Sequence, residues 1–115
     1  MAKQVIRIDR GRSDVEELTI EDVVAKEIYE LQSGEILRFG VKKNINDPNC
    51  IFIKECTDKD ADENGTYAIY ITPEDTINLP VGKYYYDIGI QSGEDYWPVI
   101  PWTEFVIGPN ATEKE

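Results

Sequence analysis

The chain has 115 residues, of which 41% are hydrophobic, and this is enough for one domain with a single two-layer core. Its 23 acidic and 12 basic residues give a formal net charge of −11. Because phosphate binding depends on clustered Lys and Arg, this balance excludes nucleic acid and anionic membrane surfaces as expected partners.

The sequence also lacks residues that are typical of several other functions. It contains no histidine, the commonest general base and the commonest metal ligand, so we expect no enzyme and no histidine-bound metal. No segment approaches the roughly 20 apolar residues of a membrane span. Charged residues return too early for a secretion signal, so we expect the chain to stay in the compartment where it is made.

Two cysteines, Cys50 and Cys56, are present. If both lie on one extended strand, they are about 20 Å apart at about 3.3 Å per residue, which is too far for a disulfide. Free thiols of this kind are typical of a reducing cytoplasm.

The N-terminal third starts with a predicted strand at residues 3–9, with Ile6 and Ile8 on one face, and a turn at residues 10–13. Residues 15–31 allow two interpretations. Local propensity slightly favours an amphipathic helix. The alternation of Leu18 and Ile20 with polar neighbours allows a strand and then a turn near residues 24–26. We prefer the strand because of the family resemblance described below.

The next segments alternate more clearly. Residues 32–35 form a turn, and residues 36–43 form a strand with Leu37, Phe39 and Val41 inward. After a loop at residues 44–49, residues 50–56 form a strand with Ile51 and Ile53 on the face opposite Phe52. A polar connection at residues 57–65 then leads into the next strand.

Residues 66–90 predict two strands joined by a corner. The first strand alternates Tyr67, Ile69 and Ile71 with outward residues. Thr72 is suited to an N-cap and Pro73 to the first helical position, which predicts a helical turn at residues 73–76.

The sequence Leu79-Pro80-Val81-Gly82 predicts a β-turn before the second strand, which carries Tyr84, Tyr86, Ile88 and Ile90 on one face. This corner resembles the one between the sheets of immunoglobulin-like sandwiches, where a tyrosine hydrogen-bonds back to the corner backbone. Tyr84 or Tyr86 is the candidate for that tyrosine corner.

The C-terminal part predicts a turn at residues 91–95 and a strand at residues 96–100 that Pro98 confines to a sheet edge. We expect Pro101 to end that strand and residues 102–107 to form the last one, with Phe105 and Ile107 inward. The sequence therefore predicts an all-β, antiparallel, immunoglobulin-like β-sandwich of about seven to nine short strands. Residues 1–108 form this single domain, and residues 109–115 form a polar tail.

Two motifs could carry function. Tyr96, Trp97 and Trp102, beside Pro98 and Pro101, form either part of the core or a recognition surface for protein or sugar. The acidic run Asp58-x-Asp60-x-Asp62 fails as an EF-hand, because the glycine does not follow the third acidic residue and position 12 is not Glu. We therefore expect a solvated connection and no metal site there, and a looser Ca²⁺ site is the alternative.

The order and spacing of several short motifs resemble the immunoglobulin-like modules of bacteriophage tail and baseplate proteins, in particular the N-terminal domain of the upper baseplate protein family. These motifs span about residues 6–107. They are Arg10-Gly11-x-Ser13, Leu31-x-x-Gly34-Glu35-x-Leu37-x-Phe39-x-Val41-Lys42, Pro73-Glu74-Asp75-Thr76, Leu79-Pro80-x-Gly82-x-Tyr84-x-Tyr86-Asp87-Ile88 and Phe105-x-Ile107.

The resemblance implies a non-catalytic virion structural protein without a cofactor, assembled in the bacterial host cytoplasm and docked against other tail proteins or a second copy of itself. Members of that family usually continue into a long C-terminal part. For a chain that ends at Glu115 we therefore expect a small tail or neck accessory protein, or a prophage remnant. The alternative function is a carbohydrate-binding module that uses the exposed aromatic residues as a stacking platform.

Overall fold

The structure is a computed structural model that describes residues 5–22 and 26–109. Along these residues the strands and one four-residue helix follow in the order β1 (Ile6–Asp9), β2 (Asp14–Asp22), β3 (Glu27–Tyr29), β4 (Glu35–Lys42), β5 (Phe52–Thr57), β6 (Thr66–Ile71), α1 (Pro73–Thr76), β7 (Gly82–Ser92) and β8 (Asp95–Gly108). The predicted all-β class with one helical turn is confirmed.

The strands form two sheets that pack as a sandwich. The larger sheet has five strands in the order β1-β8-β7-β4-β5, and the smaller has three in the order β3-β2-β6. All pairs are antiparallel except β1 with β8, which are parallel. The helical turn α1 precedes β7, and a tyrosine near the start of β7 hydrogen-bonds back to the backbone of the connection.

The core lies between the two sheets and follows the predicted alternation. On β4, β6 and β7 every second side chain is buried, as a sheet with one covered face requires. The largest side chains that are almost fully buried are Phe39, Tyr67, Tyr84, Tyr86 and Phe105. Phe39 stacks on Tyr86 with ring centroids 5.3 Å apart and meets Phe105 edge-on at 6.3 Å.

The corner between β6 and β7 is held by local hydrogen bonds. The Asp75 carboxylate accepts from the Thr72 N–H at 2.8 Å, which satisfies one donor at the start of α1. Of the two tyrosine-corner candidates, Tyr84 donates its hydroxyl to the Pro80 carbonyl at 2.7 Å. Tyr86 is instead buried against Phe39.

Residues 14–22 and 27–29 are strands, so the helical interpretation of residues 15–31 is wrong. Six consecutive residues of β2, Asp14 to Thr19, pair with β6, and this buries Leu18 and Ile20 in the core. If this segment were a helix, the backbone N–H and C=O groups of β6 that pair with β2 would have no strand to bond to, and buried backbone groups require hydrogen-bond partners. Of the turn predicted at residues 24–26, only Lys26 lies within the described residues, and it has a φ of 59°.

Pro101 does not end a strand, which corrects the prediction of a break there. β8 runs without interruption from Asp95 to Gly108 and pairs with β7 along its length. The register between β7 and β8 shifts twice. The first shift lies between Thr103 and Ile100 of β8, and the second lies between Ile100 and Pro98. Each shift adds one residue to β8, and such bulges are where a sheet accepts proline.

The first half of β8 pairs only with β7 among the described strands, since β1 pairs with residues 105–108. Pro98 therefore lies on an edge segment, as predicted. A strand with one open side can accept a proline there without the loss of a ladder hydrogen bond.

Other predicted boundaries move slightly. β1 begins at Ile6, and residues 3 and 4 and the tail from residue 110 lie outside the described residues. β5 begins at Phe52, so Cys50 precedes the strand. Both cysteines are free thiols, Cys50 half-buried and Cys56 buried.

Candidate functional site

The three aromatic residues singled out in the sequence do not share one face. Trp97 pairs with the buried Ile90 and so points toward the inner side of the sandwich. Tyr96 pairs with Gln91 and points to the outer face of the five-stranded sheet. Trp102 also faces outward, with the Lys42 ammonium 5.0 Å from its ring centroid. The structure therefore separates Tyr96 and Trp102 from Trp97.

On the outer face, Tyr96 lies over the neighbouring strand and binds Asp87. Its hydroxyl donates to the Asp87 carboxylate at 3.0 Å. Glycine at the position under its ring allows this contact, since a Cβ on Gly89 would come within 2.3 Å of Tyr96 Cζ and displace the ring. Burial followed by the Asp87 charge raises the pKa of Tyr96 well above its usual range.

Asp87 is the carboxylate at the centre of this face. Burial raises the pKa of Asp87, while the hydrogen bond from Tyr96 and the charges of Lys42 and Arg38 lower it. A second glycine, Gly40, lies opposite Asp87 on β4. A Cβ on Gly40 would come within 2.8 Å of the Cys50 Sγ, so the glycine makes room for that side chain. The two glycines let Tyr96 and Cys50 pack onto the sheet around Asp87.

Beside it lies an apolar groove of about 420 Å³. We call this the Trp102 groove, and its lining residues are Val5, Ile45, Tyr85, Trp102, Thr103 and Glu104. Val5 and Ile45 are each more than 40% exposed. An open apolar groove with one carboxylate at its side has the composition of a protein contact surface.

Trp97 belongs to a different place, a cavity of about 270 Å³ between the sheets at one end of the sandwich. We call this the end cavity, and it is lined by Ile20, Glu21, Tyr29, Glu35, Ile90 and Trp97. Glu35 is fixed there, because its Oε1 accepts from the Tyr29 hydroxyl at 2.6 Å and from the Gln32 N–H at 2.8 Å.

One carboxyl group outside both places has a strongly perturbed pKa. Burial, followed by a hydrogen bond with Asp14 and the charge of Asp14, raises the pKa of Glu16 from 4.5 to about 8. The two residues lie on β2 opposite Ile69 and Ile71, on the inner face of the smaller sheet. A raised pKa of this kind allows Glu16 to keep its proton and donate to Asp14, which avoids the repulsion of two adjacent charges.

The acidic run at residues 58–62 serves the backbone. Asp60 accepts from the Thr57 N–H at 2.6 Å, and Asp62 accepts from the N–H groups of Asn64 and Thr66 at 2.8 and 3.0 Å. Within the described part of the chain, His, Cys, Asp and Glu side chains nowhere gather in threes to hold a metal ion. Across residues 5–22 and 26–109, no helix has the length and apolar character to cross a membrane.

Sequence reasoning missed Glu35, Tyr29 and Asp87. Asp87 left a signal, a lone acidic residue between Tyr86 and Ile88 in an otherwise apolar strand. Glu35 and Tyr29 left none, because Glu35 reads as part of a turn and Tyr29 lies in the segment whose secondary structure was ambiguous. Their meeting depends on how the two sheets are packed.

No protein-family model matches this sequence, and no curated protein matches it significantly. The resemblance to the upper baseplate protein family therefore stays a prediction based on the short motifs quoted above.

Proposed function

We propose that this chain is a virion structural protein of a phage or prophage, which associates with the tail or baseplate through protein–protein contacts and catalyses no reaction. The observation that carries this proposal is the Trp102 groove, an exposed apolar surface on the outer face of the larger sheet. A groove of this kind, with an aromatic anchor and a polar rim, is suited to a protein partner.

The residues that resemble the baseplate family add support. Pro73 to Thr76 form α1, and Leu79 to Tyr84 form the corner that holds β6 and β7 together. These two motifs thus lie in the connection between β6 and β7, where the resemblance implies a helical turn and a tyrosine corner.

The sugar-binding alternative draws less from the geometry. A stacking platform needs open aromatic faces in one plane, whereas Trp97 faces away from Tyr96 and Trp102. The Tyr96 ring packs over Gly89, and Lys42 lies over the Trp102 ring. A glycan-binding screen separates the two functions, because a structural adaptor should show no saturable sugar binding.

The test of the proposal is to induce the prophages of the bacterium that carries this gene and purify particles on a density gradient. Mass spectrometry should find the protein at fixed stoichiometry in intact tails. A tagged Trp102→Ala variant should then enter particles less efficiently than the wild type. Tyr70→Ala is the matched control, because Tyr70 is 63% exposed on the other sheet. Absence of the wild-type protein from particles would refute the proposal.

A further inference from the structure

The end cavity combines three features that together specify a ligand. Its floor is apolar, formed by Ile20 and Ile90, and an aromatic residue, Trp97, lies at its side. Its polar groups include two carboxyl groups, of Glu21 and Glu35, and none of the lining residues that the structure describes is Lys or Arg. The cavity opens to solvent, since Trp97 is 49% exposed.

Glu35 is the group with the best-defined orientation. Both hydrogen bonds that hold it, from Tyr29 and Gln32, go to Oε1. Its Oε2 accepts neither of these two bonds. A carboxylate that is fixed through one oxygen keeps the other ready for a charged donor.

We propose that the end cavity is a socket for one Lys or Arg side chain of a partner protein. The methylene stem of such a side chain would lie on Ile20 and Ile90, as long basic side chains do on apolar surfaces. Its cation would meet the Trp97 ring and the Glu35 carboxylate. The charge of the chain, −11, favours the same class of partner.

The size of the cavity agrees with this occupant. Pockets for drug-sized ligands typically occupy about 300–1,000 Å³. The end cavity, at about 270 Å³, is below that range and suits a single long side chain. The inference rests on the proposed function, because it describes the chemistry of the partner that a tail module would contact at this end.

The socket can be tested without the partner, by titrating the intact chain with the peptide acetyl-Gly-Lys-Gly-amide and its Arg counterpart. The chain has two tryptophans, so two-dimensional NMR gives one indole N–H signal each for Trp97 and Trp102. We expect the Trp97 signal to shift with saturation at millimolar peptide, as about one side chain's contacts allow, and the Trp102 signal to stay in place. The same peptide with acetyl-lysine, which is neutral, should have no effect.

Glu35→Gln should weaken this binding about tenfold, because the amide keeps the hydrogen bonds from Tyr29 and Gln32 but loses the charge. Glu17→Gln is the charge-matched control, since Glu17 is exposed on β2 and does not line the cavity. It should change the affinity less than about twofold. Trp97→Ala provides a second variant, read from the backbone amide signals of Ile20 and Ile90, and should abolish saturable binding while the spectrum stays dispersed.

Three results would overturn the inference: no saturable shift of Trp97, equal shifts of Trp97 and Trp102, or equal effects of Glu35→Gln and Glu17→Gln. The last two would mean diffuse attraction to an acidic protein. If the protein is found in particles but the peptide does not bind, the inference fails and the proposed function stands. If the peptide binds and particles lack the protein, the structural role fails and the socket remains.

Discussion

The hydroxyl of Tyr67 should contribute strongly to stability, because it satisfies a buried backbone group. Tyr67 is fully buried on β6, and its oxygen accepts the Leu31 N–H at 2.7 Å. Leu31 is itself only 5% exposed, so water cannot easily take over as the acceptor. Tyr67→Phe leaves the ring packing intact and removes only this acceptor.

The cost follows from what is left behind. A buried donor without a partner costs about 1–3 kcal/mol, and the depth of Leu31 points to the upper half of that range, about 2–3 kcal/mol. For a domain of this size we expect the melting temperature to fall by about 10 °C.

Tyr84→Phe is the matched control, because it also removes one hydroxyl from an almost fully buried tyrosine. Tyr84 is the donor, however, and its acceptor is the carbonyl of Pro80, an exposed residue that water can reach. We expect this variant to lose about 1 kcal/mol. Urea unfolding followed by circular dichroism measures both variants. If Tyr67→Phe costs no more than Tyr84→Phe, the argument from the buried Leu31 N–H is refuted.

Three further perturbations test the packing and the charges. The pKa of Glu16 is raised from 4.5 to about 8, so the folded state holds a proton on Glu16 that the unfolded state releases. The contribution of this proton to stability is complete below about pH 4.5 and is lost as the pH rises through 8. Glu16→Gln should therefore stabilise the protein by about 1 kcal/mol at pH 9 and by less at pH 5. Urea unfolding at both pH values measures this, and equal effects at both would contradict the raised pKa of Glu16. Gly89→Ala should lower the free energy of unfolding by about 1 kcal/mol, because the new Cβ displaces the Tyr96 ring. In a double-mutant cycle, Tyr96→Ala should remove most of that cost, and additive effects would argue against the contact between Gly89 and Tyr96. Burial raises the pKa of Asp75, but the hydrogen bonds from Lys54 at 2.7 Å and from Thr72 bring it below its usual value, so its contribution is present above pH 4 and is lost on acidification. Asp75→Asn should make acid unfolding below pH 4 less steep, and an unchanged acid transition would count against this role.

The alternating strands and the corner could be predicted from the sequence because their information is local. The inward residues of β4 and β6 recur at every second position, and only one face of each strand is apolar. Thr72, Pro73 and Asp75 specify α1 within four residues, and Pro80 and Gly82 specify the turn after it. Such patterns need no knowledge of a partner strand.

The segment from residue 15 to residue 31 could not be settled in this way. Its local propensity slightly favours helix, whereas pairing with β6, about 50 residues further along the chain, fixes β2 as a strand. The free energy that decides its conformation comes from contacts that the segment alone does not contain.

The candidate site depended most on the tertiary structure. The sequence placed Tyr96, Trp97 and Trp102 in one cluster, and the structure divides them between an outer groove and the end cavity. One bulge in β8, between Thr103 and Ile100, also turns Ile100 into the core, although simple alternation from Phe105 and Ile107 would place it outside. Bulges and inter-sheet cavities are set by the register of strands that are distant in sequence. The sequence by itself determined which aromatic and acidic side chains are present. The packing of the two sheets determined which of these side chains meet.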